Sequence, residues 1–135
     1  MRRIKHIQQL IDLIKDIRKE LSPTVIGFVY SAALVHMFHI AFYAKLEPGR
    51  AVKHTDFRSS EKIEILKKLI DDFPGKNKMF ELWREFENKR NELCYGYPDK
   101  DDIEDYAKKF LEIKSILEKV SGISFEIENL EKLNE

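Results

Sequence analysis

The segment running Phe86, Glu87, Asn88, Lys89, Arg90, Asn91, Glu92, Leu93, Cys94, Tyr95, Gly96, Tyr97, Pro98 holds the densest set of polar groups that could do chemistry. On a helix of 3.6 residues per turn, Arg90, Cys94 and Tyr97 fall on nearly one face, and Asn91 lies above Tyr95. A guanidinium, an amide and two phenols would then meet at one helix end, beside a turn. Arginine pairs bidentately with phosphate, and tyrosine stacks on bases or donates to phosphate oxygens. Arg90, Asn91, Tyr95 and Tyr97 are therefore the candidate catalytic set. The plainer reading makes Arg90 an ordinary cation at a helix C-terminus and the tyrosines anchors of the bundle end.

Four histidines offer further chemistry. His36 and His39 are three apart on one face of an apolar segment, a spacing that can hold a metal. That segment supplies no carboxylate to complete such a site, so core or interface histidines are the better reading and no metal site is expected. His54 lies among Arg50, Lys53 and Arg58, where Arg50, Lys53 and His54 could help bind a phosphate-bearing substrate; a solvated loop is the commoner explanation. His6 is expected at the surface. The chain has no glycine-rich phosphate loop, no Gly-x-Ser-x-Gly elbow and no His-Glu-x-x-His, and nothing in it implies a cofactor.

The elements that must position these groups read as helices. Ile4, Ile7, Leu10, Ile11, Ile14, Ile17 and Leu21 recur every three or four residues, with Lys5, Asp12, Lys15, Asp16 and Lys19 between them. That pattern is one apolar stripe on a solvated helix. Ser22 and Pro23 suit a cap and a first helical position. No charged residue then follows until Lys45. This stretch is long enough to cross a bilayer, but His36, His39, Ser22, Thr24, Gly27 and Ser31 interrupt it. The amphipathic helices around it also need a common buried partner. It is read as the central helix of a soluble bundle, not a membrane span.

Residues 45–58 form a basic loop opened by Pro48-Gly49. Ser59 or Ser60 caps a third helix, with Ile63, Leu66, Leu69, Ile70 and Phe73 inward and Pro74-Gly75 ending it. A fourth runs from about Asn77 to Tyr95. A fifth, capped by Asp99, has Asp101, Asp102, Glu104 and Asp105 at the positive end of its dipole and closes at Ser121-Gly122. The tail from Ile123 to Glu135 is read as a short helix or an extended segment packed on the bundle, with the helix favoured. The fold class is all-α: an up-and-down four- to five-helix bundle with a central apolar helix and a short C-terminal helix, in one domain over residues 1–135.

Composition agrees with that class. The chain has 135 residues, 43% hydrophobic and 36% charged, enough for one core. Five glycines and four prolines are too few for a loop-rich sandwich. One cysteine excludes a disulfide framework. The N-terminus lacks the apolar core of a signal peptide, and a cytoplasmic protein is expected. Net charge is zero, yet residues 1–90 hold 18 Lys/Arg against 12 Asp/Glu and residues 91–135 hold 6 against 12. A uniformly basic coat for nucleic acid is absent, while a local basic face or pairing between unlike surfaces stays open.

Arg90-Asn91, then Glu92-Leu93-Cys94, then Tyr95-Gly96-Tyr97 resembles the signature of the HEPN superfamily (higher eukaryote and prokaryote nucleotide-binding). There an arginine and a polar neighbour lead to a histidine, with a tyrosine often two positions beyond. Arg90, Asn91 and Tyr97 match; Tyr95 stands where the histidine belongs. The apolar run from Tyr30 to Phe42 is similar to the family's central helix, and the motif falls near the end of the next-to-last long helix. The resemblance implies a helical bundle that dimerises, with two arginine motifs lining one cleft. It implies RNA or a nucleotide as ligand and, in toxin–antitoxin settings, a minimal nucleotidyltransferase antitoxin as partner.

The substitution at Tyr95 bears on activity. Metal-independent RNA cleavage needs proton transfer at the ribose 2′-oxygen and at the leaving oxygen, which histidine can perform near neutrality. Arginine stabilises charge but stays protonated, and a tyrosine with a reference pKa of about 10 is a poor base at pH 7. The expected function is an HEPN-like domain binding RNA or nucleotide phosphate in an Arg90-lined cleft at a dimer interface, weak or inactive as a nuclease. One alternative is a metal-independent endoribonuclease toxin, with His36, His39 or His54 supplying the missing group. A second is a helical protein-interaction adaptor in which Arg90 is structural.

Overall fold

The computed structural model describes residues 23–42 and 52–125. Among these, 81% are helical, in four helices with no strand. They are α1 (Pro23–Phe42), α2 (Ser60–Leu69), α3 (Lys76–Tyr95) and α4 (Lys100–Ser121), with a 3-10 turn at His54–Phe57 ahead of α2. The all-α expectation holds. The first amphipathic helix, His6, Arg50 and residues 126–135 lie outside the described residues.

The apolar all-round sequence of α1 explains its place. Pro23 is its first residue, where a missing N–H costs nothing. The helix is long and apolar enough to cross a membrane by length and composition. Here it is a core helix, with Leu34, Met37 and Phe38 wholly buried. Phe38 sits edge-on to Phe57, Phe80 and Trp83, with ring centroids 5.4, 6.4 and 5.6 Å away.

Cross-links set the helix directions. Thr24 Oγ1 donates to the Cys94 carbonyl at 3.4 Å, Ser31 pairs with Glu87, and Phe38 meets Trp83, so α1 and α3 are antiparallel. The α4 helix returns beside both. The Tyr106 hydroxyl donates to the Gly27 carbonyl at 2.7 Å, Tyr30 stacks on Phe110 at 4.7 Å, and Phe86 stacks on Tyr106 at 4.2 Å. At the solvent edge of α3 and α4, Lys89 Nζ reaches Asp102 Oδ1 at 3.0 Å.

The helix ends follow local rules. Ser59 accepts from the Lys62 N–H, and Asp99 and Asp102 form a reciprocal capping box. Gly122, at φ 71°, closes α4 in the left-handed conformation that a side chain would strain. The α2 helix stops at Leu69, before the predicted Pro74-Gly75 stop. The ammonium of Lys76 bonds the carbonyls of Lys67 and Ile70 at 2.5 and 2.6 Å, satisfying the orphan acceptors at that end.

One expectation about loops changes. Residues 52–58 are not featureless: Val52 N–H donates to His39 Nε2 at 3.1 Å, and Phe57 lies flat on Trp83 at 3.8 Å, 4° from parallel. The segment just past Gly122 is not helical over residues 123–125. It is held instead by Glu118 Oε2, which accepts from the Phe125 N–H at 2.9 Å while the Phe125 ring is buried.

Candidate functional site

Spaced four and then three residues apart, about one turn each, Trp83, Glu87 and Arg90 occupy one stripe of α3. That stripe faces inward: Trp83 and Glu87 are wholly buried and Arg90 is 3% exposed. A helix with a tryptophan, a carboxylate and a guanidinium on its core side needs an unusual partner, and α1 provides it. Gly27 lets the two backbones close up; a Cβ there would stand 3.0 Å from Cys94 Sγ and 3.6 Å from Arg90 Cγ. The next residue, Phe28, lays its ring over the Arg90 guanidinium, 4.7 Å from carbon to centroid. Such a pair stabilises by about 0.5–2 kcal/mol, more where water is excluded. Phe28 itself is 46% exposed, so its outer edge faces solvent.

This placement corrects the expected cluster. Arg90 does not line an open cleft of the single chain with the two phenols. Helix α3 ends at Tyr95, and Gly96 is already extended, so helical spacing no longer applies to Tyr97. Tyr97 is fully exposed and Tyr95 is 78% exposed, whereas Arg90 turns into the core. Asn91 is half-buried. Cys94 is half-buried against α1, and burial pushes its thiol pKa up. Phe28, Tyr95 and Tyr97 nonetheless share one end of the bundle, because the start of α1 lies beside the end of α3.

Glu87 is the residue that sequence reasoning missed. Its Oε1 accepts from Ser31 Oγ at 2.8 Å. Burial raises its pKa to about 7, against the opposing pull of Ser31, Arg90, Trp83 and Arg58. The Trp83 indole N–H leans toward this carboxylate but does not reach hydrogen-bonding geometry; among the described residues Trp83 Nε1, Glu87 Oε2 and Arg90 Nε are buried without a hydrogen-bond partner. The signal available in the sequence was the spacing of Trp83, Glu87 and Arg90 on one helical stripe. Tyr106 borders the same group from α4; burial, then the Glu87 charge, raises its pKa well above that of a free phenol.

The predicted loop cluster is divided. Lys53 is exposed, its backbone N–H held by Asp56 Oδ2 at 2.9 Å. His54 is half-buried in the 3-10 turn. Residues three apart eclipse in such a turn, so His54 shares the side of Phe57, which packs on α3. Burial, Arg90 and then Arg58 lower its pKa, with Asp56 opposing. His54 thus lies within the field of Arg90 in the same chain. His39 is buried as the acceptor for Val52, the structural role expected of it, and His36 is half-buried. Among the described residues no group of three His, Cys, Asp or Glu side chains could hold a metal.

A shallow groove of about 260 Å³ between α2 and α3 is lined by Ile63, Lys67, Phe80 and Arg84 among others, and shares no lining residue with the Arg90 stripe. Comparisons with protein-family models, with curated proteins and with solved structures found no match.

Proposed function

We propose that this chain is an HEPN-like bundle that binds single-stranded RNA or a nucleotide at the end carrying Phe28, Tyr95 and Tyr97, and that it cleaves RNA weakly or not at all. The observation that carries this reading is the half-exposed Phe28 ring laid over buried Arg90. Aromatic rings exposed beside a fixed positive charge form a stacking platform for bases, worth about 1–3 kcal/mol per base. Arg90 acts here as a charge behind the platform, and a second copy of the chain would bring a second such charge to the same cleft. The resemblance supports the same ligand class, a homodimer and a minimal nucleotidyltransferase as partner; the single cysteine and the N-terminal sequence support a cytoplasmic setting. Tyr95, in the place of the motif histidine, argues against efficient proton transfer.

The test is RNA binding by fluorescence anisotropy, with cleavage measured in the presence of chelator. Wild type should bind, and Phe28→Ala and Tyr95→Ala should each weaken binding severalfold without unfolding the bundle. Undiminished binding in both variants would remove the reading.

A second reading, a metal-independent endoribonuclease, is favoured by one observation. His54 lies in the field of Arg90, and burial and that charge lower its pKa, which favours the neutral ring a general base requires. Cleavage that His54→Asn abolishes would favour this reading. A silent wild type that gains cleavage with Tyr95→His would favour the binding module.

A further inference from the structure

Glu87 is the only carboxylate among the described residues that is buried, and burying one in a bundle core needs a reason. An apolar residue of similar volume is often as stabilising as a buried ionic group, or more so. A purely structural ion pair would also be fully bonded, yet Trp83 Nε1, Glu87 Oε2 and Arg90 Nε on this stripe have no hydrogen-bond partner among the described residues. What Glu87 does have is a fixed place: Ser31 of α1 holds Oε1, and Arg90 follows one turn later on its own helix.

We propose that Glu87 is a positioning residue for the Arg90 site: gain or loss of its proton sets the net charge behind the Phe28 platform and so tunes the affinity for nucleic-acid phosphate. This rests on the binding reading above. With Glu87 neutral, Arg90 presents a full positive charge beneath Phe28. With Glu87 ionised, the two cancel, and the platform loses most of its attraction for an anion. In surroundings less polarisable than water, one charge added within about 8 Å of a phosphate changes affinity on the order of tenfold.

The groups around Glu87 are these. From α1 it faces the Ser31 hydroxyl, which does not titrate in this range. From α3 it faces Trp83, Arg90 and Cys94, whose thiol pKa is raised. Arg58, after the 3-10 turn, adds a permanent positive charge. Tyr106 of α4 stays protonated because its pKa is raised well above 10. Burial, then Arg90 and Arg58, lower the His54 pKa, the opposite direction to the upward shift of Glu87.

The experiment measures binding of a fluorescent single-stranded RNA 12-mer between about pH 5.5 and 8.5 at fixed salt, beside an NMR titration of the Glu87 carboxyl carbon. Wild-type affinity should fall on the order of tenfold across a step near pH 7, coinciding with the carboxyl titration. Glu87→Gln keeps the Ser31 bond, should hold the acid-side affinity and should lack that step. Ser31→Ala removes a donor that favours the ionised form, so it should move the step to higher pH. A carboxyl that titrates near 7 while wild-type binding stays flat overturns the proposal and leaves the binding reading standing. No binding by wild type at any pH overturns both.

Discussion

Ser31 and Glu87 join the two central helices through a 2.8 Å hydrogen bond buried from solvent. The bond puts a carboxylate where the sequence pattern would have put a leucine, and it fixes the orientation of the stripe that ends in Arg90. Because burial holds the Glu87 pKa near 7, the bond also joins stability to pH.

The first prediction concerns that linkage. A carboxyl whose folded pKa is raised retains its proton in the folded state after the unfolded chain has released it. Its contribution to stability is therefore complete below about pH 4.5 and is lost as pH rises to about 7. The span corresponds to roughly 3 kcal/mol. Urea unfolding at several pH values should show Glu87→Gln gaining on wild type through this window and then holding a constant advantage. A constant difference between the two from pH 4 to 8 would mean that Glu87 titrates normally.

Removal of Arg90 should be felt as structure before it is felt as function. Arg90→Ala deletes the stack with Phe28 and the packed stem of the side chain, and should cost about 1–3 kcal/mol. It should also raise the Glu87 midpoint, since the nearby positive charge favours the carboxylate. Thermal melts and the same carboxyl titration check both effects.

The close approach of α1 to α3 at Gly27 can be probed by adding one carbon. Gly27→Ala gains up to about 1 kcal/mol in helix propensity but places a Cβ 3.0 Å from Cys94 Sγ. The expected outcome is a net loss of about 1 kcal/mol, relieved when Cys94→Ala is combined with it. A double-mutant cycle in denaturant would expose that coupling, and strict additivity of the two changes would disprove the contact.

His39 should matter as an acceptor. His39→Leu leaves the buried Val52 N–H without its partner and should cost about 1–3 kcal/mol. Amide hydrogen exchange should then accelerate at Val52 and through the turn that carries His54 and Phe57.

Much of this architecture could be read from residue types. The uncharged run from Pro23 marked the core helix, Asp99 and Gly122 marked the ends of α4, and Ser59 or Ser60 marked the start of α2, where Ser59 is the cap, because caps and apolar periodicity act locally. What could not be read depends on contacts between distant segments. Lys76 reaches back to the carbonyls of Lys67 and Ile70 at the end of α2, which falls at Leu69. Phe57 finding Trp83 turns a basic loop into a packed 3-10 turn. Nor does residue type alone show that Lys114 is 1% exposed and paired with Glu118. The Arg90 motif was visible as a cluster, but not its split into a buried cation and two exposed phenols. That division follows from α3 ending at Tyr95 and from Gly27 admitting the stem of Arg90, neither of which helical spacing alone reports.

The most direct measurement of the central claim is an amide and aromatic NMR titration of the chain with a short single-stranded RNA at pH 6. Binding at the proposed platform predicts shifts at Phe28, Tyr95 and Tyr97 and at the neighbouring Gly27 and Cys94, with the α2–α3 groove around Lys67 and Arg84 unchanged. Shifts confined to that groove, or none at saturating RNA, would contradict it.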